Sequence, residues 1–361
     1  DTCRLSRPSA LQKSDLLPML KGEMPMQPSI IPEINRHAGF FSIVLLGLLL
    51  GRSEISLAAE DTWTSKTPMP TARGFVSGAV VDGKCYVIGG FQSQYNATAA
   101  VEMYDPITDT WTQLSDIPAA RACHAACAWD GKIYVFGGIS PGLYDTAKNN
   151  IYMYDPKTDA WTEKTGMPYD NAFCGIAVVD GLIYLMGGMR DTYAPPISTV
   201  MAYDPIKESW TPKTNMPTAR GYLSACVVEG KIYALGGAIS SSVMCKNVEI
   251  YDPATNTWER ISDMPAGRMA LGTCVVDGKI YAIGGYNAGA LKANAVYDPA
   301  TDTWTMKSPM KQIRVMPFIG ALGNKIYAIG GAHPTNGLTP VSSVEEYDTG
   351  LAPSSVDWFL H

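Results

Sequence analysis

Residues 277–304 read DGKIYAIGGYNAGALKANAVYDPATDTW, and the fold turns on how this stretch is punctuated. An Asp-Gly pair opens an apolar run with one tyrosine, a glycine pair ends it, and Tyr-Asp-Pro then leads through a polar turn to a tryptophan. Asp-Gly favours the primed turns that join antiparallel strands, so a first strand ends just before Asp277 and three more follow. The punctuation recurs. Glycine pairs stand at Gly89-Gly90, Gly137-Gly138, Gly187-Gly188, Gly236-Gly237, Gly284-Gly285 and Gly330-Gly331. The preceding turn is Asp-Gly at residues 82, 130, 180 and 277, Glu229-Gly230 in the fourth copy and Gly323-Asn324 in the sixth.

One unit therefore reads strand, tight turn, strand, loop, strand, turn, strand, with a period of roughly 48 residues, the size of a propeller blade. The di-glycine, the Tyr-Asp-Pro at Tyr104, Tyr154, Tyr203, Tyr251 and Tyr297, the tryptophan seven residues later and an arginine described below together resemble the Kelch repeat. The resemblance spans residues 61–350. It implies an all-β, six-bladed β-propeller of four-stranded antiparallel blades.

Tryptophans at 63, 111, 161, 210, 258 and 304 place one outer strand ahead of the first complete unit, and the position seven beyond Tyr347 is Ser354. The sixth blade thus lacks an outer strand of its own, and the spare one around Trp63 is expected to close the ring and remove the open edges. A competing arrangement takes residues 356–358 as a late outer strand and leaves Trp63 unpartnered.

Spacing also says where a ligand can be read. Each tryptophan lies 26 residues before the next glycine pair in all six copies, whereas the second glycine and the tyrosine are separated by 14, 16, 15, 14, 12 and 16. The length variation falls in the loop between second and third strands, which emerges at the same end as the inter-blade connection. Insertions confined to one face mark a binding face. Ten residues after each tryptophan stand Arg73, Arg121, Asn171, Arg220, Arg268 and Arg314. Two readings stay open for them: a positive collar that receives a carboxylate or acidic sugar, or guanidinium groups that hold loop carbonyls. Phe91, Tyr95, Tyr144, Tyr193 and Tyr286 lie on the variable loops, with Phe75, Phe173 and Tyr222 two residues past the collar. Rings beside polar groups suit a peptide or glycan.

The chain has 361 residues, 17% charged, a net charge of -6 and 34 glycines. An acidic balance without a basic block argues against nucleic acid and anionic membranes as partners. Residues 1–58 form an upstream segment whose apolar core, 38–50, follows Arg36 and His37 and precedes small residues near Ala58, the pattern of a secretory signal. With Met24 or Met26 as the start its length is ordinary, and the core is too short for a comfortable membrane span, which takes about 20 residues. Export to the periplasm or the exterior is expected, with the propeller occupying 59–361. Cys127, Cys226 and Cys274 hold one register position in separate repeats, too far apart to bridge. A bond among Cys85, Cys123, Cys174 and Cys245 is left open.

No cofactor motif is present. A copper-radical oxidase needs imidazole ligands, and His124, His333 and His361 do not make a convincing set. The reading is a non-catalytic module for a protein, peptide or glycan, an acidic one included. The alternative is a sialic-acid mutarotase-like isomerase working through a positioned acid and base among Asp145, Asp170 and Asp191.

Overall fold

The computed structural model describes residues 61–93, 96–140, 146–333 and 339–351. The expected signal segment, residues 354–358, His361, Tyr95, Tyr144 and Asp145 lie outside the described residues. Six four-stranded antiparallel sheets stand round a central channel, and the described residues include no helix, hence none long enough to cross a membrane. The innermost strands are Ser77–Val81, Ala125–Trp129, Gly175–Val179, Ser224–Val228, Gly272–Val276 and Phe318–Leu322. Each leads through its tight turn into a second strand such as Lys84–Ile88 or Lys279–Ile283, whose last four residues are buried. Second strands are apolar on both sides because each blade is covered by a neighbour on both faces.

Blade one runs outward through Val101–Asp105 to Thr110–Leu114, and blades two to five repeat that order. In blade six the outer strand is Thr62–Lys66, paired antiparallel with Val344–Asp348 so that Trp63 faces Tyr347. The N-terminal strand therefore closes the ring. The apolar clusters are shared between blades; Tyr86 and Ile88 of the first pack with Ile133 and Tyr154 of the second. All seven described cysteines are free thiols.

Two circumferential joints explain the repeated residues. At the loop end, the second glycine of each pair donates its N–H to the collar carbonyl of the next blade, as Gly90 does to Arg121 at 2.8 Å and Gly331 to Arg73 at 3.0 Å. A Cβ on Gly137 would lie 2.1 Å from the Asn171 carbonyl oxygen, and one on Gly89 would lie 2.4 Å from that of Arg121. Only glycine lets the blades approach so closely.

Toward the rim, the Tyr104 hydroxyl donates to Asp109 Oδ1 at 2.6 Å, and the same oxygen accepts the N–H of Thr67 in the preceding connection. The Trp111 indole N–H returns a bond to the Thr67 carbonyl at 3.0 Å. This latch recurs at Asp159, Asn256 and Asp302. It closes at Asp61, which accepts from Ser308 N–H and Tyr347. The residue two before each tryptophan, acidic in every copy except Asn256, thus serves as an inter-blade acceptor as well as a turn residue.

Candidate functional site

The loop end of the channel is closed by six residues, Phe75, Cys123, Phe173, Tyr222, Ala270 and Met316, each two past a collar position. All six adopt positive φ, between 47° and 59°. That left-handed turn lets the main chain bond circumferentially: Cys123 N–H to the Phe75 carbonyl, Phe173 to Cys123, Tyr222 to Phe173, Ala270 to Tyr222 and Met316 to Ala270, at 2.8–3.1 Å. Positive φ is costly for non-glycine residues, and this chain of hydrogen bonds offsets it. Their side chains form an apolar plug, with the Phe173 and Tyr222 rings 4.1 Å apart. Below it the channel holds a chamber of about 220 Å³.

The collar positions lie beneath this surface rather than around an open mouth. Arg73, Arg220 and Arg314 are fully buried, Arg121 and Asn171 are 1% exposed and Arg268 is 3% exposed. Each arginine donates through Nη1 to the carbonyl of its own blade's first glycine. Asn171 reaches the equivalent Gly187 carbonyl at 3.0 Å. Arg73, Arg220 and Arg314 also form buried ion pairs with Glu102, Glu249 and Glu345 at 2.8, 3.0 and 2.9 Å. Thr71 and Thr218 hydroxyls and the Lys311 N–H complete those carboxylates. Arg121 lies over the Tyr152 ring at 4.5 Å instead. Arg268 has carbonyl partners only, and burial pushes its pKa down to about 10 with no carboxylate opposing the shift. Of the two readings open for the collar, this geometry is that of guanidinium groups holding carbonyls of their own blades. Buried donors must find acceptors, and these find them inside the blade.

The glutamates escaped the sequence reading although they share a register, the second residue of VEMYD, VEIYD and VEEYD. A carboxylate at an otherwise apolar strand position, recurring opposite an arginine, was the available signal.

The variable loops rise as small hairpins: Phe91–Ser93 with Asn96–Ala97, Ala238–Ser240 with Val243–Met244, and Ala332–His333 with Thr339–Pro340. The hairpins of blades six and one touch, and Thr146 bridges to Asp191 between blades two and three. No comparable bridge joins the described loops of blades four and five. There the half-buried Met244 and Tyr286 pack against the plug beside its member Tyr222, while Ile239 and Val243 stand 44% and 49% exposed. Phe91 is buried against Phe75, so among the described loop aromatics Tyr286 reaches this mouth, beside Tyr222. Tyr193 is half-buried, in a turn where its own N–H is held by Asp191. Asp170 is exposed. His124 is buried between blades one and two, its Cε1 against Gly89. His333 lies in the sixth hairpin, and the two imidazoles do not share a site. Among the described residues no three His, Cys, Asp or Glu side chains gather as metal ligands.

The profile of the KLHDC2/KLHL20/DRC7 Kelch-repeats domain matches residues 57–216 and 211–331. Kelch-like protein terF of Aspergillus terreus (strain NIH 2624 / FGSC A1156) is 45% identical over 51 residues, 13% of this chain and 11% of that protein. The match thus spans about a tenth of that relative's length. Among solved structures, that of YjhT is similar with a TM-score of 0.69 at 17% identity, over 77% of this chain and 95% of that one. At that identity the likeness speaks to the fold alone.

Proposed function

The chain belongs to the Kelch-repeat proteins, and from that premise we propose that it is an exported, non-catalytic binding module. It takes a protein or peptide partner on the loop-rich face, over blades four and five. One observation carries the reading: the guanidinium groups are buried in the blades, while apolar and aromatic side chains remain at the mouth. Tyr222 and Tyr286 offer ring faces with polar tips, the residue type enriched where binding energy concentrates. The exposed Ile239 and Val243 form an edge along which an extended apolar segment can lie. Export rests on the apolar run 38–50 and the small residues after it. Mass spectrometry of the extracytoplasmic protein should find an N-terminus near Ala59.

Selection of displayed random peptides on the purified protein tests the binding face. Apolar and aromatic peptides are expected, and Tyr286→Ala should weaken them at least tenfold, about 1.4 kcal/mol, with an unchanged melting temperature. Arg73→Ala should instead lower stability by about 3–5 kcal/mol, because it strands the buried Glu102 carboxylate. Acidic peptides that bind equally well to Tyr286→Ala would overturn the proposal.

A further inference from the structure

The opposite end of the channel is built differently. Below the chamber it widens into an open funnel of about 580 Å³, walled by Val80, Ala128, Val178, Val227, Val275 and Ala321 of the six innermost strands. The indole of Trp129 lies at its rim, held by an N–H bond to the Gly181 carbonyl of the next blade at 2.9 Å.

Each innermost strand ends in its tight turn, so the topology sets Asp82, Asp130, Asp180, Glu229 and Asp277 round this opening, all five exposed. The lysines of the same turns do not neutralise them. Lys84, Lys132 and Lys279 reach outward to the Tyr-Asp-Pro carboxylates Asp105, Asp155 and Asp298 at 2.5, 2.6 and 2.7 Å. Lys231 and Lys325 likewise turn to Asp252 and Asp348. Among the described residues, none of the five turn carboxylates forms an ion pair. An apolar cavity ringed by unpaired negative charge concentrates cations at its mouth, while its walls favour an apolar body. A fixed indole face adds cation–π attraction.

We propose that this funnel is a binding site for a small organic ammonium ion with an apolar body, separate from the loop-face partner. The volume fits a molecule of that class, since ligand pockets run from about 300 to 1,000 Å³. The charge selects against anions, and the walls select against fully hydrated inorganic cations.

Calorimetric titration of the full chain with benzyltrimethylammonium tests this, with benzyl alcohol and benzoate as neutral and anionic counterparts. Saturable ammonium binding is expected, weakened by added salt. Benzyl alcohol should bind roughly tenfold more weakly, and benzoate not measurably. The double variant Asp130→Asn/Asp180→Asn keeps residues that tolerate positive φ and should reduce affinity about three- to tenfold with the melting temperature preserved. Trp129→Leu should likewise reduce affinity, with some loss of stability because the bond to Gly181 goes, and Tyr286→Ala on the other face should change nothing. Absence of saturable ammonium binding would overturn the proposal. So would equal affinity for benzoate or benzyl alcohol, or indifference to the Asp130→Asn/Asp180→Asn change.

Discussion

At the scale of single residues, position was easier to read than role. The collar arginines recur ten residues after each tryptophan, but burial and a glutamate two strands away decide what they do. That pairing is visible only once Glu102 is known to face Arg73 across the blade. His124 makes the same point. It stands three residues past Arg121, where blades four and five place Leu223 and Leu271, and burial together with Arg121 and Arg73 pushes its pKa down to about 3. The unfolded chain takes up a proton near pH 6.5, whereas the folded chain refuses it until about pH 3. Stability contributed by the neutral imidazole is therefore complete above pH 6.5 and declines as pH falls through the window down to about 3. His124→Leu should remove that part of the acid limb. Urea unfolding of both proteins at a series of pH values between 7 and about 4 checks it; parallel stability curves would contradict the assignment.

At the scale of elements, the strands were legible because each is bracketed by fixed punctuation. The Asp-Gly turns adopt the positive φ that such pairs favour, from 47° at Asp82 to 51° at Asp277. The loop hairpins were not legible. Their lengths differ, and they carry no turn signal comparable to Asp-Gly, so spacing located them without giving their form. Nor did the polar residue two before each tryptophan declare that it bonds the blade before it, since turn and latch ask for the same kind of side chain. Asn256 occupies this place in blade four and still accepts from Tyr251 and Thr214 at 2.6 and 2.9 Å. The latch therefore needs an acceptor oxygen rather than a charge. Asp109→Asn should be nearly neutral, whereas Asp109→Ala leaves Tyr104 and Thr67 without their acceptor and should cost about 1–3 kcal/mol. Thermal unfolding distinguishes the pair, and an equal loss for both substitutions would show that charge matters.

At the scale of the molecule, closure ties the two ends of the propeller to one blade, and the missing tryptophan at Ser354 already pointed to it. The N-terminal strand contributes other bonds besides its five paired residues. Asp61 accepts from Ser308 N–H and the Tyr347 hydroxyl at 2.9 and 2.6 Å, and the Trp63 indole N–H bonds the Ser308 carbonyl at 2.8 Å. One short segment thus supplies both the last strand and the last latch between blades five and six. Its removal would leave Val344–Asp348 as an unpaired edge, a template for pairing with other chains. It would also uncover Tyr347, now fully buried. Deleting residues 59–66 is therefore expected to lower the melting temperature and produce association, seen as higher-order species by light scattering. Deleting residues 353–361 should leave both measurements close to those of the parent. The reverse pattern would transfer the closing role to residues 356–358, against the Trp63–Tyr347 register.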